Sequence, residues 1–226
     1  MHITLTGNLG SGKSTLSKII ESEYGYEIFS TGKVIRKIAE EHGVSVLEMN
    51  KLMESDHKYD NMIDDTSARI SRENADKNIL FDSRLAWNFV EKSFKVFLSV
   101  SLDVAANRVI ADNRGNVEHY ASLEDCKIQL AERAAAEDKR YKEIYGIEYF
   151  NYSNYNLVLD SSDCSPEILA KILMDEAKAY EEEGLIGTTK LILSKSRPAT
   201  DFAEERAKGK VSEATYYGVD FTVITL

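Results

Sequence analysis

At 226 residues with 43% hydrophobic side chains, the chain can bury one sizeable core, or one core with an appendage. Its 38 acidic against 28 basic residues give a formal charge of −10, which argues against a nucleic-acid or anionic-membrane binder. Two cysteines without metal-type spacing, and no apolar run near about 18 residues, set the expectation of a reduced, cytoplasmic chain with no membrane partner.

In chain order, residues 2–6 form a short apolar run read as a strand, and GNLGSGKSTL (7–16) follows at once. A helix over 14–25 places Leu16, Ile19 and Ile20 on one face and closes at Gly25. Residues 26–30 read as a second strand, and a helix over 34–43 again ends on a glycine, Gly43. Helices over 45–55 and 60–76, strands over 78–81 and 95–100, a long helix over 122–145 and a strand over 155–159 come next. The helix over 165–183 opens with Ser165 as N-cap and Pro166 at its first position.

Five strands alternating with helices predict an α/β fold whose mainly parallel sheet is covered on both faces, a three-layer α/β/α arrangement. The character changes near residue 184. Residues 190–194 and 220–226 read as strands with a short charged helix near 201–208 between them. Residues 184–226 therefore form an α+β appendage that pairs with itself, with the main sheet or with another subunit, which leaves oligomer formation through it open.

The opening stretch carries Gly7-x-x-x-x-Gly12-Lys13-Ser14 with Thr15 behind it, the full phosphate-loop pattern between a strand and an amphipathic helix. Glycines at 7, 10 and 12 let the backbone curl so that successive N–H groups, Ser11's among them, face phosphate oxygens. The helix N-terminus adds its positive end. Lys13 is placed to reach the β and γ oxygens, and the Ser14 hydroxyl to ligate Mg²⁺. The motif in this setting predicts a P-loop NTPase that binds a nucleoside triphosphate.

Two further strand ends carry arginines. The second strand runs into FSTGKVIRK, where Ser30, Thr31 and Gly32 open a helix and Arg36 lies one turn inside. The third runs into LFDSRLAW, with Asp82 and Arg84. Ligands of open parallel sheets bind at the carboxyl ends of the strands, so the phosphate loop, Arg36, Asp82 and Arg84 are expected on one rim. On the long helix, Arg133 and Arg140 stand seven apart and share a face, with Glu137 between them.

These segments resemble the nucleoside monophosphate kinases, and the R-x-x-x-[DE]-x-x-R pattern with its RYKEIYGI continuation and the YNLVLDSS strand is similar to the cytidylate kinase-like family of the archaeal type. The likeness spans roughly residues 1–180. It implies one kinase domain over 1–183, with an acceptor-binding insert near 31–76 and a lid near 108–145. It implies that Thr31, Gly32, Arg36 and Arg84 bind the acceptor phosphate and that Asp82 holds hydrated Mg²⁺. Arg133 and Arg140 would close over the transferred group, and Arg108, rather than its neighbour Arg114, would serve the donor site. The implied reaction is transfer of the γ-phosphate of ATP to CMP or dCMP. Ser83 stands where the family more often has glycine, and residues 184–226 have no counterpart in the resemblance.

For the base, the helix over 60–76 offers Asp60, Asp64, Asp65 and Arg69; an aspartate suits the exocyclic amine of cytosine, and Asp64 or Asp65 is the candidate. Tyr24, Tyr26 and Trp87 read as packing groups, and His42, His57 and His119 lack any paired acid or cysteine. Other small anionic acceptors (AMP, shikimate or dephospho-coenzyme A) and a non-catalytic nucleotide-binding regulator stay open as alternatives.

Overall fold

The computed structural model describes residues 1–44, 48, 49, 52, 58–112, 120–184 and 188–226. Most of the helix expected over 45–55, His57, Arg114, His119 and the side chain of Asp60 lie outside the described residues. The chain divides into two compact units, one of Met1–Thr6 and Ser14–Val96, the other of Gly7–Lys13 and Phe97–Leu226.

In the first unit, strands β1 (His2–Gly7), β2 (Glu27–Ser30) and β3 (Ile79–Asp82) run parallel in the order β2-β3-β1. Parallel strands covered on both faces need unbroken apolar runs, and Ile79, Leu80 and Phe81 are at most 1% exposed. Truncating such a side chain, Phe81→Ala for instance, costs about 3–5 kcal/mol. Helices α1 (Lys13–Tyr24), α2 (Thr31–Glu41), α3 (Lys58–Glu73) and α4 (Ala86–Phe89) accompany these strands. α2 begins at the Ser30-Thr31-Gly32 opening, three residues before the apolar-periodic range of 34–43. Extended Ser30 accepts the Lys33 amide at 3.3 Å on its hydroxyl and caps the helix there.

Two apolar clusters hold this unit together. Val34, Ile38 and Ala39 of α2 pack with Met49 and with Ile63 of α3, while Ile70 of α3 packs with Ile79, Phe81, Ala86 and Val90. Phe29 touches both clusters. Arg69 of α3 also pairs with Glu41 of α2 at 3.2 Å, an exposed contact worth little beside the packing.

The second unit contains residues 97–99 of β4 (Ser93–Ser99), helices α5 (Leu102–Ala111) and α6 (Leu123–Tyr145), a 3-10 turn at Tyr152–Asn154 and β5 (Leu157–Asp160). α7 (Pro166–Glu183), β6 (Lys190–Ser194), α8 (Ala203–Lys208), β7 (Lys210–Tyr216) and β8 (Val219–Thr225) complete it. The strand order is β4-β5-β6-β8-β7. β6 runs parallel to β5, with Leu157 opposite Lys190, whereas β8 and β7 are antiparallel. The appendage thus continues the sheet from β5, adding three strands to the five read from the sequence.

β7 is absent from the sequence reading. As the last strand in the order, it leaves Lys210, Val211, Ser212 and Glu213 exposed and lacks the apolar alternation that marks a half-buried strand. It turns into β8 through Tyr217 and Gly218, both at positive φ (53° and 80°), the conformation of a two-residue hairpin. α5 and α6 pack through Val100, Ala105, Ala106, Cys126 and Leu130. Among the described residues no helix is long and apolar enough to cross a membrane.

Candidate functional site

The glycines of the phosphate loop are dictated by geometry. Gly7 has φ +149°, and a Cβ there would meet the Leu98 carbonyl oxygen at 2.1 Å. Gly10 (φ +74°) would place a Cβ 2.9 Å from the Ala105 oxygen, and Gly12 (φ +87°) needs only the backbone freedom. Asn8 fixes the start of the loop, its amide donating to Leu98 O at 3.1 Å and its side-chain oxygen accepting from the Val100 amide at 3.3 Å. The Lys13 ammonium folds back over the loop and donates to the carbonyls of Gly7 (3.2 Å) and Asn8 (3.3 Å). A cation held on neutral carbonyls can exchange them for phosphate oxygens, which are stronger acceptors. Ser14 and Thr15, in the exposed first turn of α1, follow it.

Three groups that the motif does not contain brace this loop. The buried Tyr149 hydroxyl accepts the Gly7 amide at 3.3 Å and lies 3.5 Å from the Gly7 carbonyl. Its own amide donates to Asp138 of α6, and its ring packs against Phe97, Tyr141 and Phe150. Ser161, just past β5, donates its hydroxyl to Ser11 O at 2.9 Å and Ser99 O at 3.0 Å. Arg108 donates to Gly10 O (3.4 Å) and to both the hydroxyl (3.1 Å) and the carbonyl (2.7 Å) of Ser161. Burial pulls the Arg108 guanidinium below its ordinary value, and Asp160 and Asp163 act in the opposite sense.

Arg133 and Arg140 both stand exposed on α6. Ser122 caps the start of that helix, and Gly146 ends it in the left-handed region at φ 69°. Glu137 reaches Arg133 at 3.6 Å, as the i,i+4 spacing suggests; such a surface pair orders the side chain more than it stabilises the helix.

In the first unit, Ser30 and Asp82 are register partners at the carboxyl ends of β2 and β3, and Asp82 also faces Leu5 of β1. Thr31 and Gly32 open α2 directly beyond Ser30. A Cβ on Gly32 would meet Arg36 Nη1 at 3.7 Å, so the Arg36 guanidinium lies back over the first turn of its helix. Arg84 is half-buried two residues after Asp82, whose carboxylate accepts a long 3.5 Å hydrogen bond from Ser17 of α1. Asp64 is 7% exposed, unlike the solvated Asp65, so its carboxylate is held inside the unit. Tyr26 and Trp87 are buried, Tyr24 is half-buried, and His42 is the C-cap of α2.

Ser14 and Asp82 offer hard oxygen donors, the type Mg²⁺ takes alongside phosphate oxygens and water. Among the described residues no group of three His, Cys, Asp or Glu could hold a metal on protein ligands alone. Such a donor set fits an ion that arrives with a nucleotide. Sequence reading did not reach Tyr149, Ser161 or Asn8, because each acts through a hydroxyl, an amide or the backbone in a contact that no local spacing encodes.

The sequence profile of the cytidylate kinase-like family matches residues 2–163. A cytidylate kinase from Methanococcoides burtonii is 34% identical over 185 residues, covering 81% of this chain and 99% of that protein. One from Haloarcula marismortui is 33% identical over 186 residues, covering 81% and 93%. Among solved structures, a shikimate kinase from Aquifex aeolicus aligns with a TM-score of 0.51 at 15% identity, over 80% of this chain and 98% of that one. An uncharacterized protein from Eubacterium ventriosum aligns with a TM-score of 0.55 at 9% identity, over 79% and 99%. At such identities the structures speak for the P-loop kinase fold alone. The sequence matches go further: this chain belongs to the cytidylate kinase-like family.

Proposed function

We propose that the chain transfers the γ-phosphoryl group of ATP to CMP or dCMP. Membership of the family makes it an ATP-dependent nucleoside monophosphate kinase, and its cytidylate kinase relatives supply the acceptor. The observation that carries the reading is the phosphate loop itself, glycine-built and braced, with Lys13 poised over its carbonyls.

In this reading the loop amides and Lys13 hold the donor's β and γ phosphates, with Arg108 supporting the loop from the side. Arg36 and Arg84, with Thr31 and Gly32, align the acceptor phosphate, and Asp64 reads the base. Ser14 and Asp82 would hold Mg²⁺, which would neutralise negative charge on the donor's phosphates. Residues 31–76 act as the acceptor insert and 108–145 as the lid that brings Arg133 and Arg140 onto the transferred group. A nucleotide phosphate oxygen is already ionised, so positioning and charge stabilisation suffice and no general base is required.

A panel of acceptors with coupled detection of ADP tests the proposal. CMP or dCMP should stimulate ADP formation above AMP, UMP and shikimate. Preference for another acceptor would replace the substrate assignment, and nucleotide binding without acceptor-stimulated turnover would point to a regulator.

A further inference from the structure

Arg197 lies in the appendage, beyond residue 163 where the family match ends. Its side chain is only 8% exposed. The guanidinium lies 3.8 Å from Asp160, which is fully buried, and 3.2 Å from Asp201; it also donates to the Ser99 hydroxyl at 3.4 Å and stands over the Phe202 ring. Asp160 is the last residue of β5, so Arg197 meets the two strand ends, β4 and β5, whose following loops reach the phosphate loop.

The contacts beyond Asp160 run in two directions. One Asp160 oxygen accepts the amide (3.2 Å) and hydroxyl (2.7 Å) of Ser162, while the other accepts the Ser194 amide of β6 at 3.0 Å. The Ser162 hydroxyl in turn accepts the amide of Ser101, the N-cap of the helix that carries Arg108. Between them, Ser161 holds the Ser11 carbonyl and both donor nitrogens of Arg108. Fixing Asp160 therefore fixes the 160–162 segment, and that segment fixes the phosphate loop and Arg108.

Stability alone does not account for the arrangement. Burying an ion pair costs desolvation that well-packed apolar side chains avoid. Arg197 Nε and Nη1 are both buried with no hydrogen-bond partner among the described residues, so the two carboxylates are met by charge alone and the cost rises further. A buried charge set beside the fully buried Asp160 and hydrogen-bonded to Ser99 restricts the geometry of what it touches.

We propose that Arg197 is a positioning residue for the donor half of the site: through Asp160 and Ser99 the appendage holds the 160–162 segment, and with it the phosphate loop and Arg108, in nucleotide-binding geometry. This rests on reading Gly7–Ser14 as the donor site. The appendage then serves as a support for ATP binding supplied by this chain outside the matched residues.

The test is isothermal titration of the full chain with ADP and, separately, with CMP, below the melting temperature of each variant. Arg197→Ala should weaken ADP binding about tenfold and leave CMP binding within twofold, with the KM for ATP rising in parallel. A general loss of structure would instead lower the active fraction and leave both dissociation constants unchanged. Should Arg197→Ala fail to fold, Asp160→Asn with Arg197→Met removes both buried charges together, and the same change in the ADP-to-CMP ratio is expected. Unchanged ADP affinity, or equal weakening of both ligands, would overturn the proposal. A wild-type chain that took no ADP would remove the donor-site reading and this proposal with it. A wild-type chain that bound ADP but not CMP would remove only the acceptor, leaving Arg197 to be judged on ADP.

Discussion

The hydroxyl of Tyr149 meets the backbone of Gly7 on both sides, accepting from its amide at 3.3 Å and lying 3.5 Å from its carbonyl, 142 residues away in sequence. Both groups are buried, so removing the oxygen takes a hydrogen bond from the Gly7 amide at a place water does not reach, while the Gly7 carbonyl keeps the Lys13 ammonium at 3.2 Å. Tyr149→Phe keeps the ring packed against Phe97 and isolates that loss. The expected cost is about 1–3 kcal/mol, read as a lower urea midpoint, with a raised KM for ATP. An unchanged midpoint would show that the hydroxyl is incidental to the loop.

The loop glycines differ in what constrains them, and the difference is measurable. A Cβ at Gly7 must displace the β4 backbone at Leu98, whereas at Gly12 it meets nothing within 4 Å and adds only backbone strain. Gly12→Ala should cost about 1–2 kcal/mol of stability, the usual penalty for a side chain in the left-handed region. Gly7→Ala should cost more than about 4 kcal/mol or prevent folding. Equal urea midpoints for the two variants would contradict the close approach of Gly7 to β4.

Kinetics separate the roles assigned to the arginines. If Arg36 grips the acceptor in the ground state and the transition state alike, Arg36→Ala raises the acceptor KM roughly tenfold or more and leaves kcat nearly intact. If Arg140 engages only the moving phosphoryl group, Arg140→Ala lowers kcat by roughly 10²–10³-fold with little change in KM. Lys13→Ala should abolish turnover with every acceptor. Exchange of the Arg36 and Arg140 effects would reverse the assignment.

What could be read from the sequence follows the range of the interactions. The phosphate loop is legible because its chemistry sits within ten residues, and the five alternating strands are legible because parallel β-structure needs apolar runs. The start of α2 is legible in its Ser30 cap but not in hydrophobic periodicity, which begins three residues later at Val34 because a hydroxyl contact carries no apolar signal. β7 is missed because an exposed edge strand carries no buried face. Tyr149 and Arg197 are out of reach for a different reason. Each acts on a residue 142 or 37 positions away, and aromatic or basic character says nothing of the partner.

His2 gives the stability a pH dependence. Its ring is 5% exposed, with Nε2 3.0 Å from the Asn74 carbonyl and Nδ1 2.9 Å from the Ser71 hydroxyl. Only a protonated Nε2 can donate to a carbonyl, so the neutral ring accepts from Ser71 on Nδ1. Burial, the larger influence, and the nearby N-terminal ammonium lower its pKa below 6.5; the Asn74 bond opposes them. The folded chain therefore binds the proton less readily than the unfolded one. Its contribution is complete above about pH 6.5 and is lost as the pH falls from there through the lowered folded value. His2→Gln retains a donor for Asn74 but cannot titrate. Wild type should lose more in melting temperature between pH 7.5 and pH 5.5 than His2→Gln does, and parallel losses would show that the ring does not titrate in that window.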